Sequence, residues 1–371
     1  MAKDALVFVG TYTDPILFGT GRILQGKGEG IYVYRMDPSS GGLEFVSKTI
    51  GITNPSYLAF DATQRFLYAV NELKTFDDKP TGTVSAFAVD AATGKLEFLN
   101  RQLTHGTDPC HVVVDEQRKY VFVANFMSGS VCVLPVRDDG SLGEASDFIQ
   151  HQGSSIDPAR QKGPHAHSVT LDASNRYAFV PDLGLDRLMV YRFDPKRGML
   201  EPNAAPWIKM KPGAGPRHVS FHPGGRFAYL VNELDSTVAV LSYDERGGTF
   251  EHLQTVATLP AGFEGKSTCA DIQVAPSGTF LYASNRGHDS IVIHRIDSLA
   301  GTLGYVAHAP TQGKTPRSFG IDPTGNFLIA ANQDSDTLVS FRIDPESGKL
   351  EPAGPATPVP TPVCVKFLKA G

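Results

Sequence analysis

The sequence predicts an all-β fold, a seven-bladed propeller of four-stranded blades. Three observations carry the prediction: a strand-and-turn unit recurs along the chain, no helix-period segment of useful length appears, and each end carries only part of a unit.

The recurring element is a short alternating strand that ends in a charged residue. It first appears as Gly30-Ile31-Tyr32-Val33-Tyr34-Arg35-Met36-Asp37, and returns from Gly82 to Asp90, Gly129 to Arg137, Asp186 to Asp194, Ser236 to Asp244, Asp289 to Asp297 and Asp336 to Asp344. A turn and a Gly-x-Leu or its equivalent follow each copy, at Gly41, Gly94, Gly140, Gly198, Gly248, Gly301 and Gly348. Before each copy stands a pair of strands joined by a turn, clearest from Pro216 to Glu233 and repeated in outline from Pro55, Pro109, Ala166, Cys269 and Pro316. Four short strands in about 50 residues, punctuated by Gly, Pro, Asp and Asn, make one propeller blade.

The ends complete the count. Thr361 to Phe367 reads as an innermost strand, and Leu6 to Tyr12 as the second strand of a unit that lacks its first. Together they form a composite blade that closes the ring and removes an exposed sheet edge. Six internal units and this one give seven blades, with no linker to divide residues 1–371, so a single propeller domain is expected.

Composition agrees with a globular chain and excludes several function classes. Of 371 residues, 41% are apolar and 20% charged. The balance of 34 basic against 39 acidic residues leaves a formal charge of -5, and no basic run tracks a phosphate backbone, so nucleic acid is not an expected partner. No apolar stretch approaches the roughly 18 residues that cross a bilayer. Met1-Ala2-Lys3-Asp4 leads directly into the strand Ala5 to Val9, too short for a signal-peptide core, which points to the cytoplasm. Cys110, Cys132, Cys269 and Cys364 form no CxxC pair and read as buried free thiols.

Propeller geometry says where chemistry should gather: at one channel end, from residues opening each innermost strand and those following each second strand. The first set is Ser56, Cys110, His167, Arg217, Ala270, Arg317 and Val363. The second set runs through Thr11-Tyr12, Asn71-Glu72, Asn125-Phe126, Asp182-Leu183, Asn232-Glu233, Asn285-Arg286 and Asn332-Gln333. One sector departs from the repeat, where consecutive blades supply His167, then Arg217 with Glu233, then Arg286, with Arg317 beyond. An imidazole, a carboxylate and guanidiniums suit an anionic substrate and a developing oxyanion. An ion pair tying neighbouring blades is the structural alternative. His165 and His167, two apart in an extended segment, point the same way but have no further ligand beside them, so no metal site is expected. Cys110 shares the register of His167 but has no assigned base, so a nucleophilic role is not expected of it.

The motifs resemble the propeller-type lactonases, the family of bacterial 6-phosphogluconolactonase and of the fungal enzyme that cyclises 3-carboxy-cis,cis-muconate. Carrying the likeness are Val9-Gly10-Thr11-Tyr12-Thr13, Gly163-Pro164-His165-Ala166-His167-Ser168, Gly215-Pro216-Arg217-His218, Asn232-Glu233, Ala270-Asp271-Ile272, Ser284-Asn285-Arg286 and Thr315-Pro316-Arg317. The resemblance implies a catalytic set of His167, Arg217, Glu233 and Arg286, the sector already found from the repeat. Around it, His165, His218, Asn232, Asp271, Asn285, Arg317 and Gln333 are the substrate-binding candidates. The segment Gln152 to Lys162 resembles a long loop over the channel mouth. The implied activity is hydrolysis of a small anionic sugar lactone without cofactor, with Glu233 or His167 as general base at a solvated mouth. The same four residues would serve a cycloisomerase, and a non-catalytic binding scaffold is the alternative of another class. Oligomeric state is not legible, since a closed ring needs no partner.

Overall fold

The computed structural model describes residues 5–368, so the expectation drawn from Met1 to Asp4 falls outside the described residues. Seven antiparallel sheets, each with a run of four strands, alternate with turns along the chain. Apart from the 3-10 turn Gln333–Ser335, every regular element among the described residues is a strand.

The composite blade, blade 1, is built outward from Pro362–Leu368 through Ala5–Thr11, Gly30–Met36 and Leu43–Ile50. Leu6 pairs with Leu368 and Gly10 with Cys364, so the two ends of the described chain close the ring as one antiparallel ladder. Blades 2 to 7 follow in chain order, with innermost strands Leu58–Phe60, Pro109–Val114, Thr170–Leu171, Pro216–Phe221, Thr268–Val274 and Pro316–Ile321.

Alternation along each strand sends apolar side chains to both faces of a blade, so the core is a set of wedges between blades. Val7, Val9, Ile329 and Val365 fill the seam between blades 1 and 7, and Phe122, Val133, Val180 and Tyr191 the seam between blades 3 and 4. The glycine of each Gly-x-Leu turn has positive φ in all seven blades. A Cβ on Gly248, Gly301 or Gly348 would also overlap the ring of Tyr177, Phe227 or Phe280 on the preceding blade. Both constraints demand glycine. Tyr68, Tyr229 and Tyr282 donate hydrogen bonds to the carbonyls of Gly140, Gly301 and Gly348 at 3.0, 3.0 and 2.8 Å, tying each blade to the next.

Two local devices position the channel residues. In blades 3, 5, 7 and 1 the innermost strand carries a bulge, so Cys110, Arg217, Arg317 and Val363 each sit as the extra residue against the second strand. A bulged residue is freed from the ladder and re-aimed, and these four turn into the channel. At the end of the second strands the period of two separates neighbours. Asn71, Asn125, Asn285 and Asn332 point away from the axis and donate to the carbonyls of Thr53, Thr104, Thr258 and Thr311. The residues after them face the mouth.

Candidate active site

The mouth holds a cavity of about 300 Å³ whose wall includes Glu72, Cys110, Phe126, His167, Glu233, Arg286, Arg317 and Gln333. Blades 4, 5 and 6 thus bring His167, Arg217, Glu233 and Arg286 together, as their register anticipates. Glu233 is the hub. Its Oε2 accepts from Arg217 Nε at 3.1 Å and lies 2.9 Å from Arg286 Nη2, and His167 Nε2 stands 3.9 Å from the same oxygen. Oε1 is taken by Arg160 Nη2 at 2.6 Å.

Arg160 was not singled out by sequence, although its loop was. The loop is held rigidly: Gln161 is fully buried and donates to the Leu183 carbonyl at 2.8 Å, and Ser155 donates to Asp186 at 2.6 Å. The opposite rim is a small hairpin, Ile16–Leu17 with Ile23–Leu24, that no repeat predicts; Arg22 fastens it to Asp334 at 3.0 Å.

The cluster is more enclosed than a solvated mouth. Arg217, Glu233 and His167 are only 2%, 4% and 5% exposed. Burial works to raise the Glu233 carboxyl, but Arg286, Arg160 and Arg217 outweigh it and hold it well below the usual carboxylate range. Burial, then Arg217 and His218, push His167 well below the ordinary imidazole value against the pull of Glu233. Burial draws Arg286 down to about 10, with Arg217 and Arg317 adding to the effect and Glu233 opposing it. At neutral pH the site therefore holds an ionised carboxylate, charged guanidiniums and a neutral imidazole.

Across the cavity lies a second carboxyl group system, of which the sequence placed Tyr12, Glu72 and Arg317 in channel register without giving Tyr12 or Glu72 a role, and missed Asp108. Tyr12 donates to Glu72 Oε2 at 2.9 Å, and Arg317 lies 5.6 Å from the centre of the Tyr12 ring. Burial raises the Glu72 carboxyl despite Arg317. Asp108, at a left-handed backbone position with φ 53°, is raised to about 7 by burial and by Glu72. Its Oδ2 is buried without a hydrogen-bond partner. Asp-Pro before a strand reads as a turn, which hid this residue.

The remaining candidates divide. Arg317 and Gln333 line the mouth. Asn232 and Asn285 do not: strand alternation turns them from the cavity, where Asn232 donates to Thr237 at 2.9 Å and Asn285 to the Thr258 carbonyl at 2.8 Å. His165 stacks on Phe126 at 4.7 Å, and its Nδ1 lies 3.0 Å from the Phe126 carbonyl, behind the mouth wall. His218 and Asp271 lie behind Arg217. Arg217 Nη1 donates to His218 Nε2 at 3.1 Å, which leaves the proton on Nδ1 to be donated to Asp271 Oδ1 at 3.3 Å. Asp271 also accepts from Ile272 N, Ser318 Oγ and Phe319 N. Arg217 Nη1 donates to the Ala270 carbonyl as well, so this guanidinium is fixed from several sides. Cys110 Sγ is 3.6 Å from His167 Nδ1, but burial raises its thiol strongly, which opposes thiolate chemistry. Among the described residues no group of three or more His, Cys, Asp or Glu is placed to hold a metal ion, and no helix is long and apolar enough to cross a membrane.

Comparison with known proteins agrees with the fold. The chain is 37% identical over 361 residues to a 6-phosphogluconolactonase of Bacillus subtilis, covering 97% of each chain. A crystal structure of a putative 6-phosphogluconolactonase from Bacteroides fragilis superposes with a TM-score of 0.89 at 35% identity, over 98% of both chains. The periplasmic gluconolactonase of Pseudomonas aeruginosa superposes with a TM-score of 0.91 at 35% identity, over 99% of both. The family described as "Lactonase, 7-bladed beta-propeller" matches residues 6–367, and the chain belongs to that family.

Proposed function

We propose that this chain hydrolyses a small anionic sugar lactone, of the 6-phosphogluconolactone kind, to its hydroxy acid at the mouth of the channel. The observation that carries the reading is one carboxylate saturated by three guanidiniums beside a neutral imidazole. Relatives named for this activity over nearly the whole chain support it.

The electrostatics favour His167 over Glu233 as the base. A carboxylate that accepts from Arg160, Arg217 and Arg286 has little basicity left, whereas His167 is neutral at pH 7. Water attacks the lactone carbonyl carbon and gives a proton to His167. Negative charge moves to the carbonyl oxygen, where Arg286 and Arg217 stabilise it. The ring C–O bond then breaks, and the leaving oxygen takes the proton back. Glu233 holds the guanidiniums in register for the oxyanion, and the surplus of arginine at the mouth holds the substrate's anionic group. The reaction so written draws on side chains alone.

The test is a hydrolysis assay of phosphorylated and unphosphorylated sugar lactones with spontaneous opening subtracted, on the wild type and on Arg286→Met. Catalysed opening of a lactone that falls about a hundredfold in the variant is expected. No lactone opened above background, or opening unaffected by Arg286→Met, would refute the reading.

A further inference from the structure

The opposite end of the channel carries a second cluster of titratable side chains that the lactone chemistry does not use. There the innermost strands of blades 1, 3 and 5 present Lys366, His111, His218 and Ser220, and Tyr57 stands just before that of blade 2, around a cavity of about 400 Å³. Lys366 is a cation without a carboxylate: among the described residues no Asp or Glu lies within salt-bridge distance, and its ammonium rests 3.2 Å from the Tyr57 hydroxyl and 4.4 Å from the ring centre. The Asp271 carboxylate faces the same cavity, but His218, Ile272 N, Ser318 and Phe319 N occupy its oxygens.

Asp271 aside, the groups beside Lys366 have protons to give: the Tyr57 oxygen accepts from the ammonium, which leaves its own hydroxyl proton free. His111 Nδ1 accepts from the Val169 amide at 3.4 Å, so the neutral ring carries its proton on Nε2. Its ring lies 4.2 Å from that of Tyr57 and 5.4 Å from that of His218. Ser220 Oγ accepts from the Val274 amide at 3.0 Å, which leaves its hydroxyl proton free to donate. A half-buried ammonium flanked by N–H and O–H donors is a site for negative charge.

We propose that this end of the channel binds a small oxyanion, a phosphate or a carboxylate, with the Lys366 ammonium as its counter-charge and His111 and Ser220 as donors. The site is distinct from the mouth. His218 joins them, since it borders this cavity on one side and accepts from Arg217 at 3.1 Å on the other. The assignment does not depend on which lactone the mouth opens.

The experiment titrates inorganic phosphate, and acetate in a parallel arm, into the full chain labelled with ¹⁵N-histidine, and follows the ring resonances of His111 and His218. In wild type both resonances should shift saturably, and the tighter of the two ions identifies the class. Lys366→Met should weaken that response about tenfold or more, while Arg286→Met, which alters the mouth, should leave it in place. The wild-type titration stands even if Lys366→Met fails to fold. Absence of any shift at His111 with either ion overturns the proposal, and so does a response lost in Arg286→Met but kept in Lys366→Met.

Discussion

Arg160 closes an ion pair of 2.6 Å on Glu233 from a loop outside the blades, so the hub carboxylate of three blades is capped by a residue of none of their strands. Arg160→Ala should lower kcat/KM about tenfold or more, with a smaller loss of melting temperature than Glu233→Gln causes. Steady-state kinetics and a melting curve on the same preparations check it. Unchanged kinetics with a lowered melting temperature would make Arg160 a loop clasp only.

Glu233→Gln keeps volume but leaves buried guanidiniums without their counter-charge. Breaking a buried ionic cluster in this way costs about 3–5 kcal/mol, so activity and stability should fall together. A variant that is inactive yet melts like the wild type would place Glu233 outside the structural network described here.

His167 is held neutral by burial and by Arg217, so the acid limb of kcat/KM against pH should lie below the ordinary imidazole value of about 6.5. Its depressed folded pKa also makes the unfolded chain bind more protons as pH falls below about 6.5, as do those of His111 and of His218, drawn down to about 4. The histidines' contribution to stability should accordingly be full above that pH and decline beneath it. Melting temperatures measured from pH 8 down to pH 4.5 that stay level would contradict the assignment.

Asp108 has the opposite sign. Its folded pKa, about 7, lies above the unfolded carboxylate value of about 3.9, so its ionisation opposes folding as pH rises through that interval. Asp108→Asn should raise the melting temperature at pH 8 and change it little at pH 4. It should also remove any inflection near pH 7 from the rate profile and leave the lower one in place.

Asp271 acts on Arg217 through His218. Asp271→Asn should reduce kcat about tenfold with little change in KM, because it frees His218 to change tautomer and turn a donor toward Arg217. A fall confined to stability would assign Asp271 to the fold alone.

The blade count and the closing strand were legible because they rest on periods, and periods survive in a single sequence. The channel register of Cys110, Arg217 and Arg317 was legible too, although its physical cause, a bulge repeated from blade to blade, leaves no residue signature of its own. Asn232 and Asn285 were misplaced because they adjoin Glu233 and Arg286, and adjacency in a strand means opposite faces. His218 and Asp271 sit one bulge further along the axis than the mouth, a displacement that no spacing reveals. Arg160 and Asp108 stand on irregular segments, where neither period applies.

Blade 1 is stitched from the two ends of the described chain, and Leu6 faces Leu368 at the same edge of an antiparallel ladder. Tension between those ends would load the ladder bonds one after another, from the Leu6 edge inward, in an unzipping geometry. The ring that resists heat by closure is therefore mechanically weakest at its own seam, and force-driven unfolding should begin with Pro362–Leu368 peeling from Ala5–Thr11 before any other blade opens.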